Sequence, residues 1–368
     1  MPELTRELRI IGLLGVTILL LASICLATIE NYSLVIQWLL ISALLWGLVW
    51  QQSAKRLQDN RESVNDALYP SLGWANRLTI LRGFLIALCA GFLWQSFNHT
   101  LLLWLPAFFY SVAAILDRVD GFVARKTQQT SLMGNALDNV FDALGLLIAP
   151  LLALYFAKIH WAYLLVSGAY YAFHLGLRWR SRNGLPNHPL TPNLLRRTLA
   201  GFQMGYIAVV LWPPFDAQIT RLAGFAFMLP ILIGFIVDWF VVSGRIDLQR
   251  GRSQKFFDAL ATGSINWGQP CLRLLFLLAL AAMTAQGQWQ GLTLLGQLFA
   301  AGLITFGFGA RLGALLALIL IALLPPEHIS AVSTIFLFSA TWIMLLGSGR
   351  FSLWQGDDHW VERQDGAS

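Results

Sequence analysis

ILDRVDGFVARKTQQTSLMGNALDNVFDAL, residues 115–144, is the stretch that decides how this chain is read. It places Asp117, Asp120, Asp138 and Asp142 between hydrophobic segments. A charge at the centre of a membrane helix costs at least about 2.5–3.5 kcal/mol, so intramembrane acids mark functional sites by default. Four of them together repel one another unless cations sit between them. Asp117 and Asp120 close one apolar helix at i, i+3, and Asp138 and Asp142 open the next at i, i+4. Each pair shares a helix face, so two neighbouring helices can point four carboxylates into one gap. Clustered carboxylate oxygens suit hard cations such as Mg²⁺ or Mn²⁺. Two such ions about 4 Å apart can clamp a phosphoryl group with its attacking and leaving oxygens.

The residues between the acids fit a phosphate ligand. Gly121, Ala124 and Gly134 are small enough for a ligand to lie against the backbone. Arg125 can grip a diphosphate with two parallel hydrogen bonds. Cys25, Cys89 and Cys271 fall elsewhere, as do the histidines, which argues against thiolate or zinc chemistry. One isolated Asp here would read as an interfacial charge capping a helix. Four acids, two glycines and an arginine at this spacing do not.

Working outward, 57% of the 368 residues are hydrophobic and only 12% are charged. A soluble globular chain carries about twice that charged fraction. Apolar runs long enough to cross a bilayer recur along the whole length. About twelve are expected, near 10–29, 32–50, 79–96, 100–117, 135–157, 159–177, 199–213, 222–243, 271–286, 289–306, 312–325 and 329–347. The sequence thus predicts an all-α, polytopic membrane protein with both termini inside. Along an alternating path only Lys158 and Arg221 of the 25 Lys and Arg fall outside, a strong positive-inside bias that puts the acids on the cytoplasmic side. The net charge of +6 then reflects topology and contact with anionic lipid headgroups. No basic patch interleaved with aromatics points to nucleic acid. Trp50, Trp161, Trp212 and Trp289 near span ends fit an interfacial aromatic belt. The cysteines lie in or at spans, so no disulfide framework is expected.

Asp117-x2-Asp120-Gly121-x2-Ala124-Arg125-x8-Gly134-x3-Asp138-x3-Asp142 resembles the signature of the CDP-alcohol phosphatidyltransferase family at every fixed position. Upstream, Asn76-x2-Thr79-x2-Arg82 resembles a second family element, with Ala75 where Pro is common. The resemblance covers about 71–245, the size of the family's six-helix catalytic domain. It implies transfer of a phosphatidyl group from CDP-diacylglycerol or a related CDP-lipid to an acceptor alcohol, with release of CMP. It also implies two divalent cations, Mg²⁺ or Mn²⁺, held by Asp117, Asp120, Asp138 and Asp142, with Asp142 as the base. Asn76, Thr79, Arg82, Gly121, Ala124, Arg125 and Gly134 would line the CDP site. A homodimer in a bacterial inner membrane is expected. The rival class is a non-enzymatic membrane protein, either a divalent-cation transporter or an assembly factor. Gly121, Ala124, Arg125 and Gly134 discriminate, because a cation path needs no anion-gripping arginine beside its acids.

For the acceptor, Arg196 and Arg197 at a helix start are candidates, followed by Thr198 and Gln203. Arg178, Arg180 and Arg182 read better as positive-inside anchors. Asp238, near a helix end, is open to pairing with an Arg and is assigned no catalytic role. Ala143 follows the last acid where several acceptor classes carry a basic residue, so the sequence does not name the acceptor.

The remaining segments are expected as follows. Residues 1–50 form a two-helix hairpin turning at Glu30-Asn31, and 51–70 a juxtamembrane surface helix. Residues 246–270 form a polar linker. Residues 271–355 form a four-helix module that resembles the DoxX family through Gly307-x3-Arg311 and Gly349-Arg-Phe-Ser-Leu353. No cofactor ligand set shows there, and packing or partner binding is the expected role. Residues 356–368 form a polar tail.

Overall fold

The computed structural model describes residues 1–97, 99–190, 194–246, 251–324, 329–354 and 356. Among them no strand forms, and the one extended pairing is an isolated parallel bridge between Phe308 and Trp354. Thirteen α-helices follow in order: α1 Pro2–Ala27, α2 Tyr32–Lys55, α3 Gly73–Ala90, α4 Trp104–Lys126, α5 Leu132–Tyr155, α6 Leu164–Arg182, α7 Leu194–Val210, α8 Ala217–Val242, α9 Gly251–Gly263, α10 Gln269–Ala285, α11 Gly291–Phe306, α12 Ala310–Ala322 and α13 Ala331–Leu346. All but α9 overlap the apolar runs of the sequence.

Among the described residues, six stretches are long and apolar enough to cross a membrane: Pro2–Ala27, Tyr32–Lys55, Thr100–Lys126, Leu132–Tyr155, Ala217–Val242 and Ala259–Ala285. The 26 residues of α1 span about 39 Å, more than the ~30 Å hydrocarbon layer. Helices α11, α12 and α13 are apolar but shorter. Helices α3, α6 and α7 carry Arg77 and Arg82, Arg178 to Arg182, and Arg196 to Arg197, which interrupt their apolar runs. Outward on α1, Leu13, Leu21 and Ile24 are more than half exposed, a face suited to lipid.

Two expectations are corrected. Residues 51–70 do not form a surface helix. Helix α2 continues to Lys55, a single 3-10 turn covers Leu57–Asp59, and 60–72 is irregular. Within it the Asp66 side chain bonds locally to backbone instead, its Oδ2 accepting from Ser63 N–H at 2.9 Å. The expected polar linker is also largely helical. From Gly251 the chain is α-helical, passes through a π turn at Ser264–Gly268 and runs into α10. No proline interrupts 251–269, and the π turn lies just before Pro270, which has no N–H to offer the ladder. The expected polar tail lies, from 357 on, outside the described residues.

By compactness the chain forms two units, Met1–Ala157 with Met204–Pro213, and Lys158–Gln203 with Pro214–Ser368. The six-helix segment expected at 71–245 contributes to both.

In the first unit α3 is the hub, packed against α2, α4 and α5. Gly83 permits this. A Cβ there would lie 2.8 Å from Val49 Cγ1 on α2 and 3.1 Å from Phe141 Cε2 on α5. Trp46 and Trp50 of α2 donate their indole N–H to Gly12 O and Leu8 O, both at 3.2 Å, and so fasten the α1–α2 hairpin. Returning to this unit, Trp212 donates to Ser111 Oγ at 3.0 Å.

In the second unit α8 packs against α6, α12 and α13, and α10 to α13 pack among themselves. Arg311 donates to Met344 O at 2.8 Å and Leu345 O at 3.2 Å. Arg273 donates to Phe351 O at 3.2 Å and Ser352 Oγ at 3.0 Å. Arg311 of the first motif thus holds the end of α13, and Arg273 of α10 holds the second motif at Phe351 and Ser352.

Candidate active site

Three helices of the first unit build the site, and each places its polar residues by helical spacing. Asp117 and Asp120 lie on one face of the last turns of α4. Asp138 and Asp142 lie one turn apart early in α5, whose N-terminus is capped by Ser131. The Ser131 Oγ accepts from Gly134 N–H at 2.9 Å. On α3, Asn76, Thr79 and Arg82 recur every third residue on one buried face.

Arg82 joins these elements. Its side chain is 1% exposed and its guanidinium sits among all four acids. Nη1 donates to Asp117 Oδ1 and, at 2.8 Å, to Asp138 Oδ1, with Asp120 Oδ2 3.8 Å away. Nη2 donates to Asp142 Oδ1 at 2.9 Å and to the Asp138 backbone O at 3.1 Å. Thr79 donates to Asp120 Oδ2 at 2.8 Å and fixes that buried carboxylate. The acids differ in access, since Asp120 is buried whereas the Asp138 and Asp142 side chains are 47% and 39% exposed.

Asn76 holds the helix starts together. It donates to Asn60 Oδ1 and Leu72 O, both at 2.9 Å, and accepts from Ser131 Oγ at 3.1 Å. Gly134 makes room for it, because a Cβ there would lie 2.7 Å from Asn76 Oδ1. Asn60 and Ser131 brace this junction as well. Asn60 is fully buried and also donates to Ser71 O at 2.8 Å, although nothing in its polar surroundings marks it. Ser131 was legible, being a serine directly before an apolar helical run. The segment after α2 reaches the same place through Leu132 N–H, which donates to Arg61 O at 2.9 Å.

Gly121 and Arg125 are adjacent on α4. A Cβ at Gly121 would lie 3.5 Å from Arg125 Nη1, and the Arg125 side chain is exposed. Ala124 is half-buried beside them. The acceptor candidates fall in the other unit. There Arg196 donates to Asp238 Oδ1 at 2.7 Å, the pairing anticipated for Asp238, and Arg197 is exposed.

The acids fit a divalent cation. Asp117, Asp138 and Asp142 each offer an oxygen, and these oxygens lie within 4.8 Å of one another. The donor set is oxygen only, as Mg²⁺ and Mn²⁺ prefer. The same gap already accommodates one positive group, the Arg82 guanidinium.

No curated protein and no solved structure matches the chain. Residues 72–241, which hold nearly all of α3 to α8 and the whole acid cluster, match the family model described as CDP-alcohol phosphatidyltransferase.

Proposed function

We propose that the protein transfers a phosphatidyl or related lipid-phosphate group from a CDP-linked lipid such as CDP-diacylglycerol to an acceptor alcohol, releasing CMP. The convergence of four carboxylates on one buried cation, inside the segment that matches the family, carries this reading. Divalent cations held by Asp117, Asp120, Asp138 and Asp142 would neutralise the diphosphate and the charge that develops on it. Asp142, partly exposed, would take the proton of the acceptor hydroxyl. The freed oxygen bonds to the β-phosphorus, the bond from that phosphorus to the bridging oxygen breaks, and CMP leaves with the bridging oxygen.

Arg125, exposed beside Gly121, would hold the CDP diphosphate, with Gly121 and Ala124 leaving the backbone open to it. Asn76, Thr79 and Gly134 support the site through the contacts described, and Arg196 or Arg197 would meet an acceptor phosphate. The charge bias of the loops supports a cytoplasm-facing site in a bacterial inner membrane. A homodimer is part of the proposal.

The test is CMP release from CDP-diacylglycerol by the full chain in detergent or lipid, with Mg²⁺ and a panel of alcohols, read by lipid mass spectrometry. A new phosphatidyl lipid with equimolar CMP is the expected result. Intact protein that binds Mn²⁺ yet releases no CMP with any alcohol or CDP-lipid overturns the assignment and favours cation transport.

A further inference from the structure

We infer that Arg82 is a built-in counter-cation of the acid cluster, one that a divalent ion must displace in order to bind. The inference rests on the proposed metal-binding role of the cluster. Arg82 comes from α3, whereas the acids come from α4 and α5, so the contact is tertiary and not a by-product of helix spacing. The guanidinium bonds Oδ1 of Asp117, Asp138 and Asp142, the three acids whose carboxylates lie close enough together to share a metal.

Spacing supports displacement. With ligand bonds of about 2.1 Å, oxygens on opposite sides of an octahedral Mg²⁺ lie about 4.2 Å apart, and adjacent ones about 3 Å. The oxygens here span up to 4.8 Å, a gap opened to the width of a guanidinium. A small ion binds by drawing them inward, which leaves no room for Nη1 between Asp117 and Asp138. Arg82 keeps one partner outside the proposed metal ligands, the Asp138 backbone O.

Charge sets the consequence. Four carboxylates against one guanidinium leave the cluster net negative, so it stays assembled without metal and still attracts cations. A monovalent ion exchanges one unit charge for another and forfeits the guanidinium hydrogen bonds. A divalent ion brings the additional charge that makes the exchange favourable. Arg82 is thus a positioning residue that sets the threshold for the metal and filters by valence.

The experiment measures Mn²⁺ binding by electron paramagnetic resonance on the full chain in detergent, for wild type, Arg82→Gln and Arg82→Lys. Removing a unit positive charge a few ångströms away is expected to tighten Mn²⁺ binding at least about tenfold in Arg82→Gln. Arg82→Lys, too short to reach all four acids, is expected to fall between. Added guanidinium ion is expected to compete with Mn²⁺ in Arg82→Gln and not in wild type, a signature that a merely structural role does not produce. Equal or weaker Mn²⁺ affinity in Arg82→Gln overturns the inference while the metal site stands. Absence of Mn²⁺ binding in wild type and both variants overturns the metal reading with it. If Arg82→Gln does not fold, Arg82→Lys decides, and an affinity no tighter than wild type overturns the inference.

Discussion

Glu7 on α1 receives the Arg77 side chain on Oε1, with both Nε and Nη2 at 2.6 Å, while its Oε2 accepts from the Leu72 N–H at 2.9 Å. The N-terminal hairpin thereby grips the first turn of α3, the helix that carries Asn76, Thr79 and Arg82. An exposed ion pair alone contributes about 0–1 kcal/mol. Leaving a buried amide without its acceptor costs about 1–3 kcal/mol, and Leu72 is 2% exposed. Glu7→Ala is therefore expected to lower stability by roughly 1–2 kcal/mol. Thermal unfolding in detergent checks this, and an unchanged midpoint would show that the hairpin does not brace α3.

Asp142→Asn is expected to abolish transfer while the protein stays folded and binds CDP-lipid. Loss of a general base typically costs 10²–10⁴-fold, so turnover is expected to fall by about that range. Turnover and nucleotide binding measured in one preparation decide it. More than about a tenth of wild-type turnover removes Asp142 from the role of base.

Activity is expected to vanish in excess EDTA and to return with Mg²⁺ or Mn²⁺. Asp117→Asn and Asp138→Asn are expected to raise the metal concentration at half-activity or to abolish turnover. A metal titration of CMP release reads both. Full activity in EDTA contradicts the assignment of these acids as metal ligands.

Gly134→Ala tests the junction between α3 and α5. The new methyl would lie 2.7 Å from Asn76 Oδ1 and 3.1 Å from Ser131 Oγ, so one of these side chains must move and its hydrogen bonds break. Overpacking of this kind costs about 1–3 kcal/mol. A drop in unfolding midpoint and in CMP release is expected together. Wild-type values of both would mean that the junction yields without loss.

Sequence position alone assigns the C-terminal spans no part in the chemistry, since all four acids of the cluster lie before residue 143. The packing adds a cost to removing them. Helix α8, within the matched family segment, buries Ala226, Phe227 and Ile231 and packs against α12 and α13. A chain ending after Arg245 is expected to be inserted but to unfold at markedly lower temperature, because those apolar contacts are gone. Unchanged thermal stability would show that α10 to α13 are dispensable to α8.

The four acids are legible in sequence because i, i+3 and i, i+4 spacing fixes their faces before any tertiary structure is known. Their convergence on Arg82 is not, since it depends on how α3 meets α4 and α5, which no spacing encodes. Asn60 escapes notice for a related reason: its segment has no periodicity, and its partners lie eleven and sixteen residues away. The stretches 51–70 and 246–270 mislead in opposite directions. Both are polar, yet the first has side chains that bond their own backbone and the second continues a helix into α10.

The place of Arg82 bears on how this protein enters a membrane. An arginine carried to the centre of a bilayer on a lone helix costs about 2.5–3.5 kcal/mol, and α3, which is not among the six stretches apolar enough to cross, carries Arg77 as well. Every carboxylate that neutralises Arg82 is synthesised later, on α4 and α5. Helix α3 is therefore poorly suited to partition into lipid by itself as it leaves the ribosome. Its partners are complete only once α4 and α5 are made, so α3 is expected to enter lipid more readily together with them than alone.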